Sequence, residues 1–145
     1  MRLVGRLAVQ YFLESARLYG ELLPGDALTS LIFLTIIHRN LLRVSRDASE
    51  TLAYSGSDKP PPNDKRTPVT VYAVAKELGL SYETVRRHVK RLLDAGVCER
   101  GGEGLIVPAE ITTRPDFLRA GARNYENVQR LVRALEASGA LGAML

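Results

Sequence analysis

The most constraining stretch of this 145-residue chain is a pair of short helical segments that a tight turn keeps from merging. Val71 onward carries Val74, Ala75 and Leu78 at helical spacing, and Gly79 ends the segment because a left-handed conformation costs glycine little. Leu80 and Ser81 complete the turn. Ser81 is a good N-cap for a second helix, Tyr82 to Leu93, whose Val85, Val89, Leu92 and Leu93 share one face before Gly96 stops it. Small Ala75 permits close approach, and Val74, Leu78, Leu80 and Val85 supply the apolar contacts that set two such helices at a steep angle.

Extended segments flank this pair. Val69 and Thr70 suit a short strand before the first helix. Val97 to Arg100 and Leu105 to Val107 are strand candidates joined by Gly101-Gly102-Glu103-Gly104, a connection suited to a hairpin.

The segment from Val69 to Arg87 resembles the helix-turn-helix of lactose-repressor-type regulators. The run Leu92-Leu93-Asp94-Ala95-Gly96-Val97 leads instead into a Gly-rich hairpin, and here the chain resembles winged-helix regulators such as the MarR and GntR families. The likeness covers roughly Thr67 to Pro108. It implies a mainly α fold with a small β-hairpin wing, a winged helix-turn-helix with flanking helices, in which residues 82–93 form a recognition helix in the major groove of double-stranded DNA. The wing, residues 97–107, would lie near the backbone.

The resemblance places Tyr82, Glu83 and Arg87 at base-reading positions, with Ser81 and Thr84 beside them at the helix start. Arg87 suits bidentate pairing with guanine and Glu83 suits a cytosine amino group. Arg86, Lys90 and Arg91 are better matched by charge to phosphates. The wing tip carries the backbone role onto Arg100, Gly101 and Gly102. Two residues depart from the pattern: Glu103 is acidic at the tip, and His88 stands where an apolar residue is usual. Tyr82 packed on the preceding helix, and Glu83 favouring a helix N-terminus by charge, are the plainer roles for those side chains.

The remaining chain divides into residues 1–54 as N-terminal helices for core or dimerisation, 55–66 as a linker, 67–110 as the DNA-binding region and 111–145 as a packing or dimerisation helix. Leu3, Leu7, Tyr11, Leu18 and Leu22 define a first amphipathic helix ending at Pro24-Gly25. Asp26 can cap a second, apolar almost all round until His38, Arg39 and Arg43, which belongs in the core. Its longest apolar run, Leu31 to Ile37, is far short of the roughly 20 residues a bilayer span needs. Between Ser55 and Pro68, Gly56, Ser57, Asp58, Pro60, Pro61, Pro62, Asn63 and Asp64 suit an exposed linker. Beyond Pro115, Val128, Leu131, Val132 and Leu135 form a stripe, and Gly139 and Gly142 loosen the end.

Charge and composition set the classes of partner. Twenty Lys plus Arg against sixteen Asp plus Glu give a formal net charge of +4, which suits a polyanion. Cys98 is the single cysteine, so no intramolecular disulfide forms and a reducing cytoplasm fits. His38, His88 and Cys98 lack metal-ligand spacing, and there is no nucleophile elbow or phosphate-binding Gly loop followed by Lys, so neither metal, cofactor nor enzymatic activity is expected. The N-terminal run, with Arg2 and Arg6 leading into Gln10 and Glu14, lacks signal-peptide character, and no membrane association is expected. The expectation is a homodimeric regulator reading neighbouring half-sites, with a small-molecule effector possible but not indicated. Its rivals are a winged-helix protein-interaction module in a replication or chromosome-organising assembly, and an RNA binder, for which three Phe and six Tyr make a poor stacking platform.

Overall fold

The computed structural model describes residues 2–56 and 58–144. Met1, Ser57 of the predicted linker and Leu145 of the predicted C-terminal region lie outside the described residues. The chain is mainly α. In order, its elements are α1 (Arg2–Gly20), α2 (Ala27–Arg46), α3 (Ala48–Ala53), a 3-10 turn (Asn63–Lys65), α4 (Val71–Leu78), α5 (Tyr82–Asp94), β1 (Glu99–Gly101), β2 (Gly104–Ile106), α6 (Ala109–Thr112), α7 (Pro115–Ala137) and α8 (Ala140–Met144).

Local chemistry explains the central boundaries. Asp26 starts α2 by accepting from the Thr29 amide at 3.0 Å, and Thr70 starts α4 by accepting from Ala73 N at 3.1 Å. Gly79, at φ 67°, closes α4 in the left-handed conformation. Two residues later the Ser81 hydroxyl accepts from Thr84 N at 3.1 Å and opens α5.

The antiparallel hairpin pairs Glu99 with Ile106, Arg100 with Leu105 and Gly101 with Gly104. Its turn is therefore only Gly102 and Glu103, and Gly102 takes the positive φ, 58°, at the first turn position. The strands sit closer to the tip than the predicted 97–100 and 105–107. Val97 and Cys98 are buried in the core, with Val97 N donating to Leu92 O at 3.2 Å, while Val107 N donates to the Asn40 side chain. Val69 adds a one-residue edge: it exchanges two backbone hydrogen bonds with Leu105, at 3.1 and 2.7 Å. A Cβ on Gly104 would stand 2.8 Å from the Val69 carbonyl, so glycine alone permits that approach without a backbone shift.

One core joins these pieces. Ile32, Phe33 and Ile36 of α2 pack with Val69, Val74, Val85, Val89, Leu92, Leu105, Val107 and Phe117. Each such buried side chain contributes about 1.5–3 kcal/mol. This core crosses the predicted boundaries at residues 54 and 67, because α2 is the helix against which α4, α5 and the hairpin close. An 18-residue window of α2 has mean hydropathy 1.3, apolar enough by length and composition to cross a membrane; in the fold its apolar face meets α5 and β2.

The predicted exposed linker is fastened at its end. Arg66 is buried, its Nε donating to Pro61 O at 3.1 Å and its Nη1 to Val107 O at 3.0 Å. Asn63 Oδ1 accepts from Ala109 N at 2.8 Å, and Lys65 Nζ meets Glu50 at 2.5 Å. Proline and polar composition describes the first half of this segment and misses the second.

The first and last long helices pack on each other. Ser15 Oγ donates to Asn124 Oδ1 at 2.6 Å and Arg130 reaches Glu14 at 2.9 Å. The Phe33 and Phe117 rings, 5.7 Å apart at their centroids, tie the start of α7 to the core. α7 buries Phe117, Ala120 and Asn127 and half-buries Asn124, Leu131, Ala134 and Leu135; of the predicted stripe, Leu131 and Leu135 lie on this face while Val128 and Val132 are exposed. On α1 only Leu18 is fully buried, while Leu3, Val9, Phe12 and Leu13 face solvent.

Candidate nucleic-acid interface

The second helix of the tight pair, α5, has two contrasting sides. Val85, His88, Val89 and Leu92 are buried. Tyr82, Glu83, Arg86, Arg87, Lys90 and Arg91 are exposed. The Gly79 turn and the Ser81 cap separate the end of α4 from the start of α5.

The outward charges are unequal. Arg86 grips Glu83 through two hydrogen bonds of 2.9 and 2.6 Å, which hold the Glu83 carboxyl below its ordinary pKa and raise that of Arg86. Lys90 pairs with Asp94 at 2.8 Å, and Arg91 lies 3.9 Å from Asp26. Arg87 has no ion-pair partner among the described residues. It is the unengaged cation at the middle of the ridge. Tyr82 is 53% exposed. Ser81 and Thr84 are occupied with each other: the Ser81 hydroxyl donates to Thr84 Oγ1 at 2.7 Å while capping the helix.

The hairpin follows α5 directly. Arg100 is exposed on β1, Gly101 is half-buried with the Ile106 side chain over it, and Gly102 is exposed at the tip beside Glu103. The hairpin and α5 attach to the same core through Leu92, Val97 and Leu105.

His88 has an inward role that its place in the sequence does not announce. Its Nδ1 lies 2.7 Å from Thr29 Oγ1 and 3.6 Å from Asp26 Oδ1, binding α5 to the start of α2. Asp26 is held below the ordinary carboxylate range, first by the Thr29 amide and further by the charges of His88 and Arg91. Cys98 is buried, and burial pushes its thiol up to about 11, which keeps it protonated at neutral pH. Among the described residues no group of three His, Cys, Asp or Glu side chains is placed to hold a metal ion.

Sequence reading gave no site role to Arg39, Arg43 and Arg46, exposed on α2, or to the exposed Tyr72 near the start of α4. The arginines have a sequence signal, spacings of four and three on one helix face. Compared with known proteins, the chain matches no family model, no curated protein and no solved structure.

Proposed function

We propose that this chain is a winged helix-turn-helix protein that binds double-stranded DNA, with α5 as the recognition helix and the β1–β2 hairpin as the wing. The observation that carries the reading is α5 itself: one face is sunk in the core, and the other presents Tyr82, Arg86, Arg87 and Lys90 to solvent beyond a glycine turn. The succession of α2, the Val69 edge, α4, α5 and a hairpin supports the architecture. The ion pairs divide the labour. Arg87, unpaired by any acid among the described residues, is the base-reading cation, with Tyr82 exposed in the first turn of the same helix; Glu83 is free to read a base only if Arg86 releases it to a phosphate.

A transcription regulator acting as a homodimer is the form this takes. The support is the apolar surface left outside the packed pair α1 and α7: Val9, Phe12 and Leu13 on one helix, Tyr125, Val128 and Val132 on the other. Two recognition helices on one DNA face would read half-sites about 34 Å apart.

Selection from a randomised duplex pool tests the reading. Enrichment of a dyad-symmetric motif, relaxed at one base pair per half-site by Arg87→Ala, is the expected result. Retention without any enriched motif would reject sequence reading, and no retention would reject DNA binding. In that last case the same exposed charges favour a winged-helix module that docks on an acidic protein.

A further inference from the structure

The C-terminal half of α2 carries a basic row that the recognition helix does not account for. Arg39, Arg43 and Arg46 stand four and three residues apart, so they project from one side of the helix. With Leu42 they form one wall of a cleft of about 440 Å³ whose other wall is Thr67, Pro68 and Val69. That second wall leads to the hairpin: Val69 is hydrogen-bonded to Leu105, and the Pro68 ring lies 3.6 Å from where a Cβ on Gly102 would stand. The arginine cleft and the hairpin tip are therefore neighbours.

The nearby acids are already engaged. Glu77 lies 3.7 Å from Arg39, Glu50 is paired with Lys65 at 2.5 Å, and Asp47 caps α3 by accepting from the amides of Ser49 and Glu50. Arg43 and Arg46 are exposed and have no ion-pair partner among the described residues. Cations in the last turn of a helix also favour its dipole, and Arg43 and Arg46 are placed for that. The dipole accounts neither for Arg39, a further turn back, nor for a concave wall shared with the strand that braces the hairpin.

We propose that this cleft is a second nucleic-acid contact, in which Arg43 and Arg46, with Arg39 behind them, hold backbone phosphodiesters of the duplex on the flank next to the hairpin. The inference rests on the DNA-binding reading above and extends it. Guanidinium groups suit this task because their fork of donors matches phosphate oxygens. The contact is independent of base identity, so it adds affinity and register, not discrimination.

The two roles of these arginines separate experimentally. The full chain is titrated by fluorescence anisotropy against a labelled duplex that extends beyond the bound site, at salt concentrations between about 0.05 and 0.2 M, where phosphate contacts dominate the dependence. Thermal unfolding is recorded alongside. Arg43→Ala with Arg46→Ala is expected to weaken binding by at least about tenfold, and to flatten the plot of log K against log salt by about 1.8, the loss of two phosphate contacts. Sequence preference stays as in the parent chain. Arg43→Lys with Arg46→Lys restores the slope. If the alanine pair does not fold, Arg43→Gln with Arg46→Gln is read in its place. A parent chain that binds duplex while the neutral variants keep its slope overturns the second contact and leaves the recognition helix standing. A parent chain that binds no duplex overturns both.

Discussion

Thr29 Oγ1 and His88 Nδ1 lie 2.7 Å apart, joining the first turn of α2 to the inner face of α5. The contact spans 59 residues of sequence and sets how the outward charges of α5 are carried. His88→Ala removes a buried hydrogen bond and a packed ring, and is expected to lower stability by about 2–3 kcal/mol. Urea unfolding measures it. A loss under about 0.5 kcal/mol, the range of an ordinary surface change, would deny His88 this fastening role.

Asn40 fastens the other end of the same assembly. Its side chain donates to Thr67 O at 2.8 Å and Leu105 O at 2.9 Å and accepts from Val107 N at 2.9 Å, with the residue fully buried. Asn40→Leu keeps much of the volume but strands the Val107 amide and the Thr67 carbonyl and leaves Leu105 O with its bond from Val69 N alone, an expected cost of about 3 kcal/mol. Denaturation midpoints check the size. The hairpin amides should also exchange faster with solvent in that variant.

Asp26 gives the fold a defined acid dependence. Its carboxyl titrates lower in the folded chain than in the unfolded one, because the ionised form accepts from Thr29 and faces His88 and Arg91. A folded pKa below the unfolded value contributes stability that is present above the ordinary carboxylate pKa, about 3.9, and is lost as pH falls through the folded value. Asp26→Asn retains a capping oxygen and removes the charge. The parent chain is expected to be more stable than the variant at neutral pH, with the gap closing in acid; a gap constant down to strongly acidic pH would contradict the assignment.

Phe12 is 59% exposed on α1, beside a groove of about 550 Å³ between α1 and α2 that Leu13, Leu28, Leu31 and Leu34 help to line. Phe12→Asp should convert the proposed dimer to a folded monomer whose unfolding temperature no longer depends on protein concentration, since the side chain is not part of the monomer core. Light scattering at several concentrations decides the point. A parent chain that stays monomeric throughout would remove the dimer from the account.

The parts that could be read from the sequence are those whose cause is local. Asp26, Gly79 and Ser81 mark their helix boundaries by hydrogen bonds or backbone conformation within a few residues, and the glycines of the hairpin sit where its turn and close approach require them; Thr70, read as strand, is instead the cap of α4. The same holds for the exposed charges of α5, which follow from the apolar positions opposite them.

What could not be read depends on distant partners. Arg66, Asn40 and Asn127 are polar residues that a pattern assigns to the surface; each is buried because backbone or side-chain groups supply its hydrogen bonds. The stripe read on α1 is covered at Leu7, Tyr11, Leu18 and Leu22 and exposed at Leu3, while that on α7 is covered at Leu131 and Leu135 and exposed at Val128 and Val132. Both helices carry apolar residues on more than one side, and the Ser15–Asn124 and Glu14–Arg130 contacts, invisible to hydrophobic periodicity, accompany the face that packs. His88 belongs to the same group, as does the docking of α2 against α5, whereas the core position of α2 follows from its apolar run.

Mapping a duplex onto the chain tests the central claim most directly. Backbone amide resonances of the isotopically labelled protein, assigned and followed during titration with duplex DNA, should shift first at Tyr82, Glu83, Arg86 and Arg87 and at Arg100 to Gly102. The outward residues of α1 should stay unmoved apart from changes caused by dimerisation. Perturbations that avoid α5 and the hairpin, or a spectrum unchanged by duplex at near-physiological salt, would contradict the reading of α5 as the helix that meets DNA.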